Sequence, residues 1–119
     1  MVLSGAGCPQ QADLPSVAEA TLRCLRRAVP ATVPAVLFLS GGQPSVTATE
    51  RLNAICGAGN APWTLSFSFG RALESPALEI WDGSPSNVPA AQSALHHRAR
   101  CNAAAVRGAY VPAMEAEPR

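Results

Sequence analysis

The sequence predicts an α/β fold with parallel strands, and three observations carry that prediction. Stretches with helical spacing alternate with two short apolar runs along the chain, which is the grammar of strand–helix–strand units. The first run, Ala35-Val-Leu-Phe-Leu-Ser40, is continuously apolar, as in a parallel strand covered on both faces. Both runs end in glycine-containing turns, Ser40-Gly41-Gly42 and Gly70-Arg71, where a chain leaves a strand for a helix.

In chain order, residues 1 to 11 contain glycine and follow no period. Asp13 stands where a helix N-cap belongs, with Pro15 tolerated in the first turn. Leu14, Val17, Ala18, Thr21, Leu25 and Ala28 follow at helical spacing, Glu19, Arg23, Arg26 and Arg27 lie opposite, and Pro30 closes the helix. After the first strand, a second helix is expected from about Ser45 to Cys56, with Val46, Thr49, Leu52 and Ile55 or Cys56 facing inward. The cluster from Gly57 to Pro62 is a turn. From Thr64 to Phe69 the pattern alternates, with Leu65, Phe67 and Phe69 on one side and Ser66 and Ser68 on the other. A third helix, Ala72 to Trp81, is weakened by Pro76, and a fourth, alanine-rich, runs from about Pro89 to Val106 and ends at Gly108. Residues 1–111 form the structured part, and 112–119 are expected to be a flexible tail. Two strands are too few for a well-covered parallel sheet, so further strands are expected beside them.

Bulk properties narrow the function. A chain of 119 residues, 48% hydrophobic and with a net charge of +1, is neither a disordered segment nor a nucleic-acid surface. No apolar run reaches a membrane span, and no basic stretch followed by an apolar core marks a secretion signal. The four cysteines, Cys8, Cys24, Cys56 and Cys101, are far apart and read as reduced thiols, with neither a disulfide framework nor a zinc site expected; the expected compartment is cytoplasmic. The nine basic residues among Lys and Arg are all arginine, so the chain offers no side-chain amine for imine chemistry.

The two turns hold the chemistry. In parallel α/β folds ligands bind at the carboxyl ends of strands. Glycines there let backbone N–H groups approach an anion, and the following helix start adds partial positive charge. Ser40 supplies a hydroxyl, and Arg71 a planar fork able to grip a phosphate by two charge-assisted bonds. Each turn taken singly reads first as a tight connection; the pair, at the same end of consecutive strands, leaves the turn and the anion site both open on these residues alone.

The segments CLRRAVPATVPAVLFLSGGQ, RLNAICGAGNAPWTLSFSFGRALESPALEIW and NVPAAQSALHHRARCNAAAVRGAY resemble the C-terminal third of class I fructose-1,6-bisphosphate aldolases, in one colinear register from Met1 to about Pro112. The resemblance implies a (β/α)₈ TIM barrel, of which this chain supplies about strands 7 and 8 with their flanking helices. It implies a glycolytic lyase, usually tetrameric, that cleaves fructose 1,6-bisphosphate into dihydroxyacetone phosphate and glyceraldehyde 3-phosphate through a Schiff base and without a cofactor. The matching positions give Ser40, Gly41, Gly70 and Arg71 to a substrate phosphate and Leu39 to the lining of its approach. The family's imine-forming lysine stands in a Lys-Pro-Asn motif ahead of the residues matching Met1-Val2, so no catalytic residue is assigned here and the chain alone is expected to be inactive. Phe69 replaces a tyrosine, and Pro44 and Val46 replace acidic residues. The alternatives are a non-catalytic protein that binds sugar phosphates or aldolase subunits, and an unstable truncated product.

The remaining candidates read as structural. His96 and His97, adjacent on a helix, point about 100° apart and are expected to be solvated; no metal site is assigned. Trp63 and Trp81 are expected to be packing residues, Cys8 and Cys24 to be buried or half-buried, and Arg26, Arg27, Glu74 and Glu79 to lie on the surface.

Overall fold

The computed structural model describes residues 1–116. Its order is α1 (Leu14–Ala28), β1 (Ala35–Phe38), α2 (Ser45–Gly57), β2 (Thr64–Phe67), α3 (Arg71–Trp81) and α4 (Val88–Val106), with 3₁₀ turns at Pro85–Asn87 and Pro112–Ala116. The strands pair in parallel, Ala35 opposite Thr64 and Phe38 opposite Phe67. The ladder extends past both ends, where the Thr64 N–H donates to the Pro34 carbonyl (3.1 Å) and the Ser68 N–H to the Phe38 carbonyl (2.8 Å). The expected α/β alternation is therefore present as a two-stranded parallel sheet with four α-helices.

Local chemistry explains the boundaries. Asp13 caps α1, its Oδ1 accepting from the Ser16 N–H at 2.9 Å, and this bond holds the Asp13 carboxyl below its usual pKa. The helix buries Val17, Ala18, Thr21 and Leu22, while Leu14 and Ala28 are exposed. The buried stripe thus occupies the middle of the helix and not its ends. In α2 the buried residues are Ala48, Thr49, Leu52 and Ile55; Val46, expected inside, is exposed in the first turn. Pro76 lies within α3 without ending it. The core joins Ala18 and Leu22 of α1, Phe38 and Phe69 of the strand segments, Ala48, Leu52 and Ile55 of α2, and Cys101, Ala104 and Ala105 of α4.

One expectation is overturned at β1. Val36 and Phe38 face the helices beside Leu65 and Phe67, but Leu37 is 57% exposed and Leu39 69%. The apolar run is covered on one face only, because α1, α2 and α4 all pack on the side of Phe38. The expected tail falls into two parts: Pro112–Ala116 form a 3₁₀ turn, and residues 117–119 lie outside the described residues.

Several side chains also depart from expectation. His97 is buried while His96 is exposed, because α4 turns the two onto different faces and the 97 face meets the 112–116 turn. Cys8 and Cys24 are exposed, Cys8 in the irregular leader and Cys24 on α1 beside the cleft that it lines with Leu37 and Leu39; none of the four cysteines forms a disulfide. Trp63 is buried, with Nε1 donating to the Pro30 carbonyl at 2.9 Å. Trp81, by contrast, is 43% exposed, flanking an apolar groove with Leu78, Val88 and Leu95. Glu74 and Glu79 lie on the surface as expected.

Candidate functional site

The ends of β1 and β2 deliver the two turns to the same side of the molecule. Gly41 and Gly42 have φ of 58° and 82°, the left-handed region that glycine enters without strain. That conformation turns the chain sharply from β1 into α2 and lays the Gly42 backbone beside α3. A Cβ on Gly42 would stand 3.7 Å from Nη2 of Arg71, so the guanidinium fork rests over the glycine turn. Ser-Gly-Gly and Gly-Arg, 28 residues apart from Gly42 to Gly70, are thereby brought together.

Ser40 is buried, and its carbonyl is held twice by Gln43, from the backbone N–H (3.1 Å) and from Nε2 (2.6 Å). Gln43 Oε1 in turn accepts from Arg51 Nη1 at 3.0 Å. The turn is therefore fixed by a side-chain relay from α2, which the sequence motif does not announce.

Both helices that follow the turns begin without a side-chain cap, at Pro44 for α2 and Gly70 for α3. The first-turn N–H groups of such helices have no intrahelical acceptor and carry the positive end of the helix dipole. Two uncapped helix starts and one guanidinium together suit an anion. Between them lies a cleft of about 380 Å³ lined by Gly42, Gln43, Pro44, Ser45, Arg71, Ala72, Ser75, Pro76 and Glu79. Leu39 and Gly41 border a different cleft, of about 460 Å³, against α1 and Met1 to Leu3, while Ser40 and Gly70 line neither. Arg71 and Gly70 are exposed, and nothing lies within 4 Å of a Cβ placed on Gly70. The structure thus groups Arg71 with the Ser-Gly-Gly turn, but of the five expected residues Arg71 lines one cleft, Leu39 and Gly41 another, and Ser40 and Gly70 neither.

A second cluster was not foreseen. Arg98, only 4% exposed, donates to both oxygens of Glu115 (Nη1 to Oε2 at 2.8 Å, Nη2 to Oε1 at 2.7 Å) and to Thr49 Oγ1 at 3.0 Å. The Thr49 hydroxyl donates to Asn102 Oδ1 at 2.6 Å, and the Tyr110 hydroxyl donates to Glu115 Oε1 at 2.7 Å. Burial by itself would raise the Glu115 pKa, but the bonds from Arg98 and Tyr110 and the arginine's charge outweigh it and hold the carboxyl at about 2. Burial and the bond to Glu115 push the Tyr110 phenol up. The spacing of Arg98 and Asn102, one helical turn apart on an alanine-rich helix, is the sequence signal for a buried polar strip.

Comparison with known proteins assigns the family. The model described as "Glycolytic: Fructose-bisphosphate aldolase class-I" matches residues 1–118. The chain belongs to the class-I fructose-bisphosphate aldolase family. The cytoplasmic aldolase isozyme of Cicer arietinum is 53% identical over 111 residues, covering 92% of this chain and 31% of that protein. Chloroplastic aldolase 1 of Chlamydomonas reinhardtii is 49% identical over 110 residues, covering 92% of this chain and 29% of that protein. Among solved structures, aldolase of Plasmodium falciparum, a ternary complex with TRAP and a small-molecule inhibitor, has 42% identity and a TM-score of 0.88 over 91% of this chain and 31% of that one. This aldolase-family chain spans about 31% of the relatives' length, and their compartments include both cytoplasm and chloroplast. No helix among its described residues is long and apolar enough to cross a membrane.

Proposed function

We propose that β1 and β2 are the seventh and eighth strands of a (β/α)₈ barrel, and that their turns hold one phosphate of a sugar phosphate, fructose 1,6-bisphosphate or dihydroxyacetone phosphate. In this reading Ser40, Gly41 and Gly70 present hydroxyl and backbone donors, Arg71 supplies the charged fork, and Leu39 lines the approach. The observation that carries it is the 3.7 Å approach of Arg71 Nη2 to the Gly42 Cβ position, between two uncapped helix starts. The phosphate neutralises the guanidinium and accepts from N–H groups that the helices leave unused. Positioning and charge neutralisation are what these residues contribute to reversible aldol cleavage in glycolysis. The covalent step needs an amine, and with no lysine in the chain an imine must form on a residue outside this sequence. Four cysteines without a disulfide suit a reducing compartment such as the cytoplasm.

The open face of the sheet favours a second reading alongside the first. Exposed Leu37 and Leu39 suit packing against further barrel strands or aldolase subunits, in keeping with a homo-tetramer or a non-catalytic binding role.

Calorimetric titration of the protein with dihydroxyacetone phosphate, and of its Arg71→Ala variant, tests the phosphate site. One charge-assisted bond is worth about 1.5–3 kcal/mol, so the variant is expected to bind at least tenfold more weakly. Equal affinity in a variant that keeps its fold removes Arg71 from the site.

A further inference from the structure

Three metal-ligand side chains meet where α4 receives the 112–116 turn. His97 and Cys101 are one helical turn apart and share a face of α4, and Glu115 comes back onto that face. His97 Nε2 lies 3.7 Å from Cys101 Sγ and 3.5 Å from Glu115 Oε2, and the three donor atoms all lie within 4.8 Å of one another. A tetrahedral zinc ion, with bonds of ~2.3 Å to sulfur and ~2.0 Å to nitrogen and oxygen, sets S···N and N···O edges of ~3.5 Å and ~3.3 Å. The two separations from His97 exceed these edges by only about 0.2 Å each, while Cys101 Sγ and the Glu115 carboxylate, within 4.8 Å, close onto an S···O edge of ~3.5 Å when the ion binds.

We propose that His97, Cys101 and Glu115 form a binding site for a divalent, borderline-soft metal ion, zinc by preference, that ties the 112–116 turn to α4. It lies apart from the strand-end turns and does not depend on the phosphate reading. One thiolate, one imidazole and one carboxylate select against magnesium and calcium, which take oxygen ligands. The two acidic ligands offset the ion's charge once the Cys101 thiol releases its proton to solvent. The carboxylate already has the outer partners that orient metal ligands: Glu115 Oε1 accepts from Arg98 and Tyr110, while Oε2 accepts from Arg98 and faces His97 Nε2 at 3.5 Å, a direct contact that the ion would replace. Cys101 is fully buried and His97 nearly so, as in structural sites, and the partly exposed Glu115 side chain is the side from which an ion and a fourth ligand, water, enter.

Cobalt(II) titration of the chelator-treated, reduced protein tests the site. One equivalent is expected to give a thiolate-to-cobalt charge-transfer band and the intense visible bands of a tetrahedral ion, both removed by zinc. Cys101→Ser should abolish the charge-transfer band, whereas the triple variant Cys8→Ser/Cys24→Ser/Cys56→Ala, which keeps only the Cys101 thiol, should retain it. Glu115→Gln should weaken cobalt binding at least tenfold. A wild-type protein without the band overturns the proposal, as does a band that survives Cys101→Ser or vanishes in a folded triple variant. Should a thiol variant fail to fold, Glu115→Gln decides, and unchanged cobalt affinity there overturns the site.

Discussion

Cys56 shows how a single side chain reports its surroundings. It is half-buried at the end of α2, and loss of solvation pushes its thiol up to about 11. Below pH 9 the thiol is protonated whether the chain is folded or not, so it contributes no slope there. Between 9 and 11 the unfolded chain releases the proton and the folded one keeps it, so stability falls as pH rises. Tyr110 acts in the same direction, but only above its ordinary value of 10. Thermal melting between pH 9 and 10 should therefore decline less steeply in Cys56→Ala than in the parent; identical slopes would place Cys56 in solvent. The same residues mark how far single positions are readable. Cys8 lies in a segment without a period, so its exposure could not be inferred from its neighbours, and Cys24 sits at the margin of the inward stripe of α1, where spacing does not decide burial. His96-His97 draws attention as a pair, whereas the informative spacing is His97 to Cys101, four residues apart on one face.

At the scale of elements, packing overrides propensity where helices meet. Pro76 removes one intrahelical donor from α3, at a local cost of about 3 kcal/mol relative to alanine, yet the helix continues to Trp81 because Ala72 and Ala77 are buried in its contact with the neighbouring helices. The ends of α2 and α4 meet more tightly still. A Cβ on Gly108 would lie 2.9 Å from the Cα of Gly57, and Gly108 itself has φ of 65°. Gly108→Ala therefore combines left-handed strain, about 1–2 kcal/mol, with a backbone clash. Gly59, at φ 70°, has nothing within 4 Å of its Cβ position, so Gly59→Ala bears strain alone. Chemical denaturation should rank Gly108→Ala as clearly the less stable of the two; equal losses would mean that the helix ends part freely. The end of the fourth helix at Gly108 is legible in the sequence, since glycine after an alanine-rich run is a stop signal. Its contact with Gly57, 51 residues away, is not, because two glycines give no pattern that pairs them.

For the whole molecule the decisive feature is the uncovered side of the sheet. Alternating Val36 and Phe38 against Leu65 and Phe67 make a continuous inner face, and the α/β class with its parallel order is legible from those residues. Which side remains open is not legible, because Leu37 and Leu39 are as apolar as Phe38 and burial of both faces reads identically in sequence. The result is a two-stranded sheet whose outer edges have no strand partner among the described residues, with leucines 57% and 69% exposed beside them. Unpaired parallel edges next to exposed apolar side chains are templates for association, and two strands rarely make an autonomous sheet. Sedimentation velocity on these 119 residues should accordingly show mass rising with concentration, and thermal unfolding should be broad. The substitution pair Leu37→Ser/Leu39→Ser distinguishes the cause. If the open face drives association, the pair should shift the distribution toward monomer without changing the parallel pairing, since neither side chain contributes to the core. A sharp, concentration-independent melt of a monomeric parent chain would show instead that four helices on one face stabilise the sheet by themselves. The exposed leucines would then mark a surface shaped for a partner that the chain does not need in order to fold.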